Sequence, residues 1–172
     1  RTLIGRAQPK FIGGISNTFS YKGFELTAFL QGVYGNNILN ANRFELEYLN
    51  ATTNQDRDML NRWTPTNTNT DIPRASTTRP ANRISSRQIE DGSYLPLKNI
   101  QLAYNLPAPL IKSLKIQSAR VYVTAQNYLT WTKYSGYDPE VSRFGQDSRS
   151  QGFDYASYPA AKTLLFGLNV GF

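Results

Sequence analysis

The stretch FIGGISNTFSYKGFELTAFLQGVY, residues 11–34, decides the fold class. Apolar and polar side chains alternate in each of its halves, and the pair Lys22 and Gly23 interrupts the alternation in the middle. The apolar side chains of one face are Phe11, Ile15, Phe19 and Tyr21 in the first half and Phe24, Leu26, Ala28, Leu30 and Tyr34 in the second. Alternation with period two predicts two strands, and a two-residue interruption is typical of a tight hairpin turn.

Three later stretches repeat this alternation: Tyr94–Leu106, Ala119–Leu129 and TLLFGLNVGF at residues 163–172. The connections between the five predicted strands are in turn short, long, fairly short and long. The long ones cover about residues 36–92 and 132–160. Transmembrane β-barrels have short periplasmic turns and long extracellular loops. We therefore predict an all-β, antiparallel transmembrane β-barrel in which both long connections lie outside the cell.

The composition is compatible with a barrel. The hydrophobic fraction is 40% and the mean hydropathy is −0.48, which is low because only one side of each barrel strand faces lipid. The 11 Tyr, 9 Phe and 2 Trp suit the aromatic girdles at the two membrane interfaces. The sequence contains no run of about 18 apolar residues, so it predicts no membrane-spanning helix. The first residues do not resemble a signal peptide, so we expect an export signal upstream of this stretch of chain.

A soluble β-sandwich is the structural alternative, because it also has alternating strands and turns. Strands of about nine to eleven residues are what a tilted crossing of a bilayer requires, and this length favours the barrel. Five strands are too few to close a barrel, and open sheet edges are too costly in lipid. We therefore expect the five strands to pair with further strands of a longer protein.

The residue types present restrict the chemistry. The chain has no Cys and no His, so thiolate or imidazole catalysis and metal sites built from Cys or His are excluded. The net charge of +7 is scattered along the sequence without a nucleic-acid-binding motif, so we predict no nucleic-acid partner.

Two pairs of carboxylates are close in sequence, Glu45 with Glu47 and Asp56 with Asp58. We interpret them as solvated loop residues and predict no enzyme activity. A third group of acidic residues could gather oxygen ligands for a calcium ion, and it consists of Asp138, Glu140, Asp147 and Asp154. Its spacing does not match a defined calcium loop, so we predict no metal site and no cofactor.

Four residues are candidate contacts for a ligand or a partner protein. Arg120 is the one charge that the pattern places on the polar face of its strand, where it meets a ligand or pairs with another wall residue. The aromatic residues Trp131, Tyr134 and Tyr137 follow the end of that strand. Aromatic rings stack on sugar faces, but they also form interface girdles, and the pattern leaves both roles open.

The end of the chain resembles the signal that the bacterial outer-membrane assembly machinery reads. Alternating apolar residues lead to a terminal aromatic residue: Leu164, Phe166, Leu168, Val170 and Phe172.

Several stretches in one order resemble the SusC/RagA family of TonB-dependent transporters. They are FIGGISNTFSYKGFELTAFLQGVYGNNILN, DGSYLPLKNIQLAYNLP, ARVYVTAQNYLTWTKYSGYDPEV and SYPAAKTLLFGLNVGF. Pro96 departs from the pattern, because the family usually has Arg at this position. The matching stretches include nearly all of the predicted strands, whereas the long connection from residue 37 to residue 87 has no match beyond its position.

The resemblance implies that this chain is the C-terminal portion of a barrel of about twenty-two strands whose plug domain lies elsewhere in the protein. It also implies a SusD-like surface lipoprotein as lid, the TonB complex as energy source, and glycan or peptide cargo. The implied location is the outer membrane of a Gram-negative cell of the Bacteroidetes type. Two rival functions remain at this point, a passive porin and a soluble carbohydrate-binding sandwich on the cell surface.

Overall fold

The computed structural model describes residues 2–48, 54–76, 84–112, 116–140, 143 and 151–172. Most of the regular structure in these ranges is β. The strands are β1 (Phe11–Tyr21), β2 (Phe24–Tyr34), β3 (Asn37–Asn40), β4 (Ile89–Asp91), β5 (Tyr94–Asn105), β6 (Ser118–Thr132), β7 (Phe153–Asp154) and β8 (Thr163–Gly171). The helices are short: α1 (Asn42–Leu46), α2 (Ala108–Lys112), and two 3₁₀ helices at Arg57–Asn61 and Ser86–Gln88.

The five predicted strands form one antiparallel sheet in the order β1-β2-β5-β6-β8, which we call the main sheet. This confirms the predicted fold class. The hairpin between β1 and β2 turns at Lys22 and Gly23, whose φ angles are 46° and 87°. Two central residues with positive φ make a type I′ turn, whose twist matches that of the flanking strands. We call this end of the sheet, together with the connection that contains α2, the turn end. The opposite end is the loop end.

A β-bulge interrupts the regular pairing of β5 at Lys98. Against β2, Lys98 is an extra residue, because Phe29 pairs with Asn99 and the next residue, Leu30, pairs with Leu97. Against β6 the extra residue lies on β6, because Asn127 and Tyr128 separate Gln126, the partner of Asn99, from Leu129, the partner of Leu97. The row of Ile15, Leu30, Leu97 and Leu129 remains continuous across four strands. The apolar face of the sheet therefore continues past the bulge.

A second, small sheet in the order β4-β3-β7 lies within the two long connections, where the sequence predicted no strands. β3 pairs with β4 antiparallel and with β7 parallel, and β7 is more than 110 residues further along the chain. Strands of two to four residues are too short to show a period, which is why the alternation could not reveal them.

The buried apolar side chains lie mostly beside this small sheet and not on the main sheet. They include Ile38, Ala41, Met59, Ile72 and Tyr134, which belong to the two long connections. We call the described parts of these connections, residues 35–48, 54–76, 84–93, 133–140, 143 and 151–162, the loop body. Across the described ranges, none of the helices has the length and apolar character needed to cross a membrane.

Candidate functional site

The two faces of the main sheet differ in a way that is the reverse of a soluble protein. Its apolar face is open: Phe19 is 65% exposed, Phe166 77% and Leu168 64%. In the described part of the chain, no layer of helices or second sheet covers these side chains. An uncovered apolar face of this size needs a partner surface or lipid.

On the polar face, side chains of β2, β5 and β6 form hydrogen bonds with one another. Arg120 donates from Nη2 to Glu25 Oε1 at 2.5 Å and to Gln101 Oε1 at 3.3 Å. Gln101 in turn donates from Nε2 to Thr124 Oγ1 at 2.9 Å, and Thr124 is buried. The four residues come from β2, β5 and β6, so the hydrogen bonds cross-link three neighbouring strands.

The loop body contains a polar network centred on Glu90 of β4. Its carboxylate accepts hydrogen bonds from the Ser135 backbone N–H and Oγ, both at 2.8 Å, and from Asn40 Nδ2 at 3.0 Å. Arg43 Nη1 lies 3.3 Å from the same carboxylate. Burial raises the pKa of Glu90, but the hydrogen bonds from Ser135 and Asn40 and the charge of Arg43 outweigh it, so the pKa is lowered overall. The network joins the first long connection to the second.

A second link between the connections is centred on the buried Asp154 of β7. The Tyr134 hydroxyl donates to Asp154 Oδ2 at 2.6 Å, and Asn42 Nδ2 lies 3.3 Å from the same oxygen. Burial and the neighbouring Asp154 carboxylate raise the pKa of the Tyr134 phenol, so this hydroxyl remains a donor at any physiological pH. The Leu39 N–H also donates to the carbonyl of Gly152, just before β7, at 2.7 Å, and the Ala41 N–H donates to the Asp154 carbonyl at 2.8 Å.

A groove of about 730 Å³ lies at the loop end, between β6 and the segment that leads into β8. On one side it is lined by Pro96 of β5 and by residues 127–130 and 132 of β6, and on the other by residues 158–162 and 137–140. Tyr137 and Tyr158 are 88% and 89% exposed and present their rings at its rim. The volume is in the range of small-ligand and peptide sites.

The four candidate contact residues are not brought together in one site. Arg120 lies at the turn end in the polar wall, bonded to Glu25 and Gln101. Trp131 pairs with Leu95 in the apolar face and is about half exposed. Tyr134 is buried against Asp154, and Tyr137 alone lines the groove with most of its ring exposed. Contact with cargo or lid stays a prediction for all four.

The residues of the predicted assembly signal share the apolar face near its edge. Leu164, Phe166, Leu168 and Val170 pair with Ala125, Val123, Val121 and Ala119, and Phe172 follows β8 with 85% exposure. Recognition by an assembly machinery stays a prediction.

Several of the acidic side chains that the sequence places close together have structural partners. Glu47 pairs with Arg43 and Arg87, Asp56 caps the 3₁₀ helix through the Asp58 N–H, and Tyr155 donates to Glu45. Both Asp138 oxygens accept backbone N–H groups, from Glu140 and Ala160, and Glu140 pairs with Lys98. Asp147 lies outside the described residues. Among the described residues, no three acidic side chains gather as a metal site would require.

Sequence reasoning missed Glu90, Ser135, Lys98 and Tyr158. Each of them acts through contacts with residues that are tens of positions away in sequence. Glu90, for example, accepts a hydrogen bond from Ser135, 45 residues further along the chain. Only the exposed aromatic character of Tyr158, in the stretch SYPAAK before the last strand, is a local signal.

Comparison with known proteins gives one consistent result. The chain is 43% identical over its whole length to TonB-dependent receptor P3 of Formosa agariphila and 37% identical over 99% of its length to TonB-dependent receptor P26 of the same organism. It is 36% identical over 49% of its length to TonB-dependent receptor SusC of Bacteroides thetaiotaomicron. No family model matches the chain.

The fold agrees with these relatives. A solved structure of the RagAB peptide transporter matches 96% of the chain with a TM-score of 0.83 and 33% sequence identity. The chain spans 17% of the length of that transporter chain and 17% of receptor P3. By sequence along its whole length and by the fold of its main sheet, the chain belongs to the SusC/RagA family of TonB-dependent receptors.

Proposed function

We propose that the protein is an outer-membrane nutrient importer in which this chain contributes five strands of barrel wall and two loops outside the cell. The observation that carries the proposal is the open apolar face of the main sheet, opposed by a polar face whose side chains bond to one another. A barrel wall needs this arrangement, because lipid lies on one side and a wet lumen on the other.

The edges of the main sheet support a larger barrel. Within the described residues, β1 and β8 each pair on one side only. In a bilayer every backbone N–H and C=O must be satisfied, so further strands of the same protein would continue the sheet at both edges. We propose that the complete barrel has about twenty-two strands, with this chain as the C-terminal portion, and that the plug domain lies elsewhere in the protein.

The partners and the cargo are proposed from the family. A SusD-like surface lipoprotein would close over the loop body, and the TonB complex would supply energy through the plug domain. Oligosaccharides or peptides are the proposed cargo, and the RagAB relative is named as a peptide transporter. We place the protein in the outer membrane of a Gram-negative cell of the Bacteroidetes type and propose no catalytic role for this chain, whose relatives are receptors and transporters.

The experiment that tests the proposal uses the full-length protein from its native membrane. Extraction should require detergent, and the purified species should be several times longer than this chain and accompanied by a lipoprotein. A strain that lacks the protein should lose uptake of one class of nutrient, and a strain without TonB should show the same loss.

Three results would contradict the proposal in different ways. Uptake that persists without TonB indicates a passive porin. A species of 19.4 kDa that stays dispersed without detergent indicates a soluble protein. Uptake unchanged by deletion of the protein rules out import as its function.

A further inference from the structure

A hollow interrupts the apolar face of the main sheet near its loop end. Gly13 of β1 lies opposite Gly32 of β2, so two neighbouring positions of this face have no side chain. The Phe11 ring lies over Gly13, where an added Cβ would be 2.7 Å from Phe11 Cζ. At Gly32 the nearest atom to an added Cβ would be Leu95 Cδ1 at an ordinary 3.5 Å, so the space above Gly32 is open. Gly32 lines a cavity of about 510 Å³, which we call the Gly32 hollow.

The sides of the Gly32 hollow are apolar. Phe11 lines it from the direction of β1, and Leu95 of β5 and Trp131 of β6 line it from the other direction. These three side chains are between 42% and 64% exposed. The volume of the cavity is in the range of sites for small ligands. The hollow therefore suits a hydrocarbon chain, which packs against aliphatic and aromatic surface.

The Gly32 hollow lies near one boundary of the hydrocarbon if the main sheet is barrel wall, and the inference rests on the proposed function in this respect. Aromatic residues mark both ends of the β1-β2 hairpin on the apolar face: Tyr21 opposite Phe24 at the turn end, and Phe11 opposite Tyr34 at the loop end. β1 has 11 residues, so at about 3.3 Å per residue and a tilt of about 40° its ends are about 25 Å apart across the bilayer. The apolar band of an outer-membrane barrel has about this height, with aromatic girdles at both edges. Phe11 and Tyr34 would therefore lie at the outer boundary, and the hollow would open just beneath them in the outer leaflet.

The rim of the hollow carries a cation. Lys133 follows β6 directly, lines the cavity and is exposed. Asp91 lies on the same rim, where it accepts a hydrogen bond from the Ser93 N–H at 2.9 Å. Hydrogen bonds from Ser93 and, to a smaller degree, the charge of Lys133 lower the pKa of Asp91. The salt bridges among the described residues do not include Lys133, so its ammonium group is available to a second anion.

We propose that the Gly32 hollow binds an anionic lipid of the outer leaflet, with one acyl chain along Gly32 and the phosphate group beside Lys133. Two features at different heights select this occupant. The apolar cavity beneath the boundary accepts a chain, and the cation at the rim stands at the height of lipid phosphates. A single anionic lipid reaches both features, whereas an uncharged lipid engages only the cavity.

The test of binding uses the full-length protein in detergent and two lipids with the same acyl chains. Dimyristoyl phosphatidic acid carries the phosphate, and dimyristoylglycerol lacks it. Native mass spectrometry during a titration measures how much of each lipid the protein retains. We expect the phosphatidic acid to bind at least 5-fold more tightly than dimyristoylglycerol. Equal retention of the two lipids, or retention of neither, would overturn the proposal.

A variant that fills the floor of the hollow tests its location. Gly32→Leu places a side chain in the open space and should weaken binding of the phosphatidic acid at least 5-fold. Ala28→Leu is the matched control, because Ala28 lies on the same face of β2, opposite Asn17, and does not line the hollow. This control should change binding less than 2-fold. Equal effects of the two leucine variants would place the lipid elsewhere and contradict the proposal.

A variant that removes the charge tests the rim. Lys133→Gln should weaken binding of the phosphatidic acid about 5-fold and change binding of dimyristoylglycerol less than 2-fold, because only the first lipid presents a phosphate. Lys112→Gln is the control, since Lys112 is an exposed lysine in α2 at the turn end, and it should affect neither lipid. If Lys133→Gln changes neither affinity, or weakens both lipids equally, the proposal is wrong.

Trp131 reports contact with the lipid inside a bilayer. The protein is placed in phosphatidylcholine vesicles that contain a small fraction of phosphatidic acid with brominated chains. The quenching that belongs to Trp131 is the difference between the protein and its Trp131→Phe variant. Brominated phosphatidic acid should quench Trp131 at least 2-fold more than the same fraction of brominated phosphatidylcholine. Equal quenching would mean that Trp131 contacts bulk lipid only, which contradicts a bound anionic lipid.

The occupant in cells is identified with a photocrosslinking residue in place of Tyr34, which lines the hollow. A lipid adduct supports the proposal, whereas a protein adduct without a lipid adduct would mean that a partner protein covers the hollow and would refute it. Failure here is distinguishable from failure of the import function. If Gly32→Leu and Lys133→Gln leave lipid binding unchanged while nutrient uptake still depends on the protein and on TonB, only the lipid proposal falls.

Discussion

Gly167 shows how a single residue adapts the sheet to a large neighbour. A Cβ at this position would lie 2.1 Å from Cζ of Tyr122, because the Tyr122 ring crosses over the glycine that pairs with it. The ring thereby covers backbone that has no side chain of its own. Packing at this point depends on the absence of a side chain and not on backbone flexibility.

We expect Gly167→Ala to destabilise the folded protein by about 1–3 kcal/mol, the usual cost of an overpacked contact. Gly32→Ala is the control, since the nearest atom to its Cβ, Leu95 Cδ1, would be at an ordinary 3.5 Å. Urea unfolding of the full-length protein in lipid vesicles measures both. Tyr122→Ala combined with Gly167→Ala should recover part of the loss, and equal costs for the two glycine variants would refute the explanation.

Tyr134 and Tyr137 are a matched pair of tyrosines with opposite environments. Tyr134 is buried and donates to Asp154, whereas Tyr137 is 88% exposed. Tyr134→Phe leaves a buried carboxylate without its strongest donor and should destabilise the loop body by about 1–3 kcal/mol. Tyr137→Phe should change stability by less than about 0.5 kcal/mol. Hydrogen exchange at β3 and β7 reports the difference, and similar exchange in both variants would contradict it.

At the scale of elements, β8 has the clearest division between its faces. Leu168 lies opposite Val121 on the apolar face, and the adjacent Asn169 lies opposite Arg120 on the polar face. If the apolar face contacts lipid, Leu168→Arg should cost about 2–4 kcal/mol near the bilayer midplane and less near an interface. Unfolding in lipid vesicles measures this cost.

The control for β8 places a glutamate at each of the two neighbouring residues in turn. Asn169→Glu places a carboxylate near Arg120 on the polar face, so it should be tolerated, whereas Leu168→Glu places the same charge in lipid. We expect Leu168→Glu to be the more destabilising of the two. Equal costs would mean that the assignment of faces is wrong.

Sequence patterns predict the strands of the main sheet well, but they predict much less of the structure in the long connections. Within the first long connection the structure has α1 at Asn42–Leu46 and a 3₁₀ helix at Arg57–Asn61. β3, β4 and β7 could not be predicted, because each is held by pairing with a distant segment and not by a local period.

At the scale of the whole molecule, the main sheet and the loop body are stabilised by different interactions. The main sheet has ladder hydrogen bonds and an apolar face without cover in the described chain. The loop body has a small apolar core and charged hydrogen bonds around Glu90 and Asp154. The two should therefore respond differently to pH.

We expect acid to loosen the loop body before the main sheet. The pKa of Glu90 is lowered in the folded state, so this carboxylate stabilises the fold above its ordinary unfolded pKa of about 4.3, and the contribution is lost as the pH falls toward the lower folded value. Hydrogen exchange measured between pH 6 and pH 3 should show β3 and β4 opening while β5 and β6 remain protected. In Glu90→Gln the opening should lose most of its pH dependence, and an unchanged pH profile in this variant would contradict the role of Glu90.

The sequence by itself determined the five strands of the main sheet, their two faces, the turn at Lys22 and Gly23, and the resemblance to the family. These properties follow from neighbouring residues, because side-chain direction in a strand alternates at every residue whatever it later pairs with. The open apolar face was also predictable, since alternation assigned Phe19, Phe166 and Leu168 to one side before any partner strand was known.

Only the tertiary structure decided the rest. Pairing between β3 and β7, the hydrogen bonds of Ser135 to Glu90, the bulge at Lys98 and the end of the ladder at Gln126 all depend on segments that are far apart in sequence. No local period encodes such contacts, because their energy appears only when distant backbone and side-chain groups meet. The groove at the loop end is one of these features, because the pairing of β8 with β6 ends at Thr163 while β6 continues to Thr132.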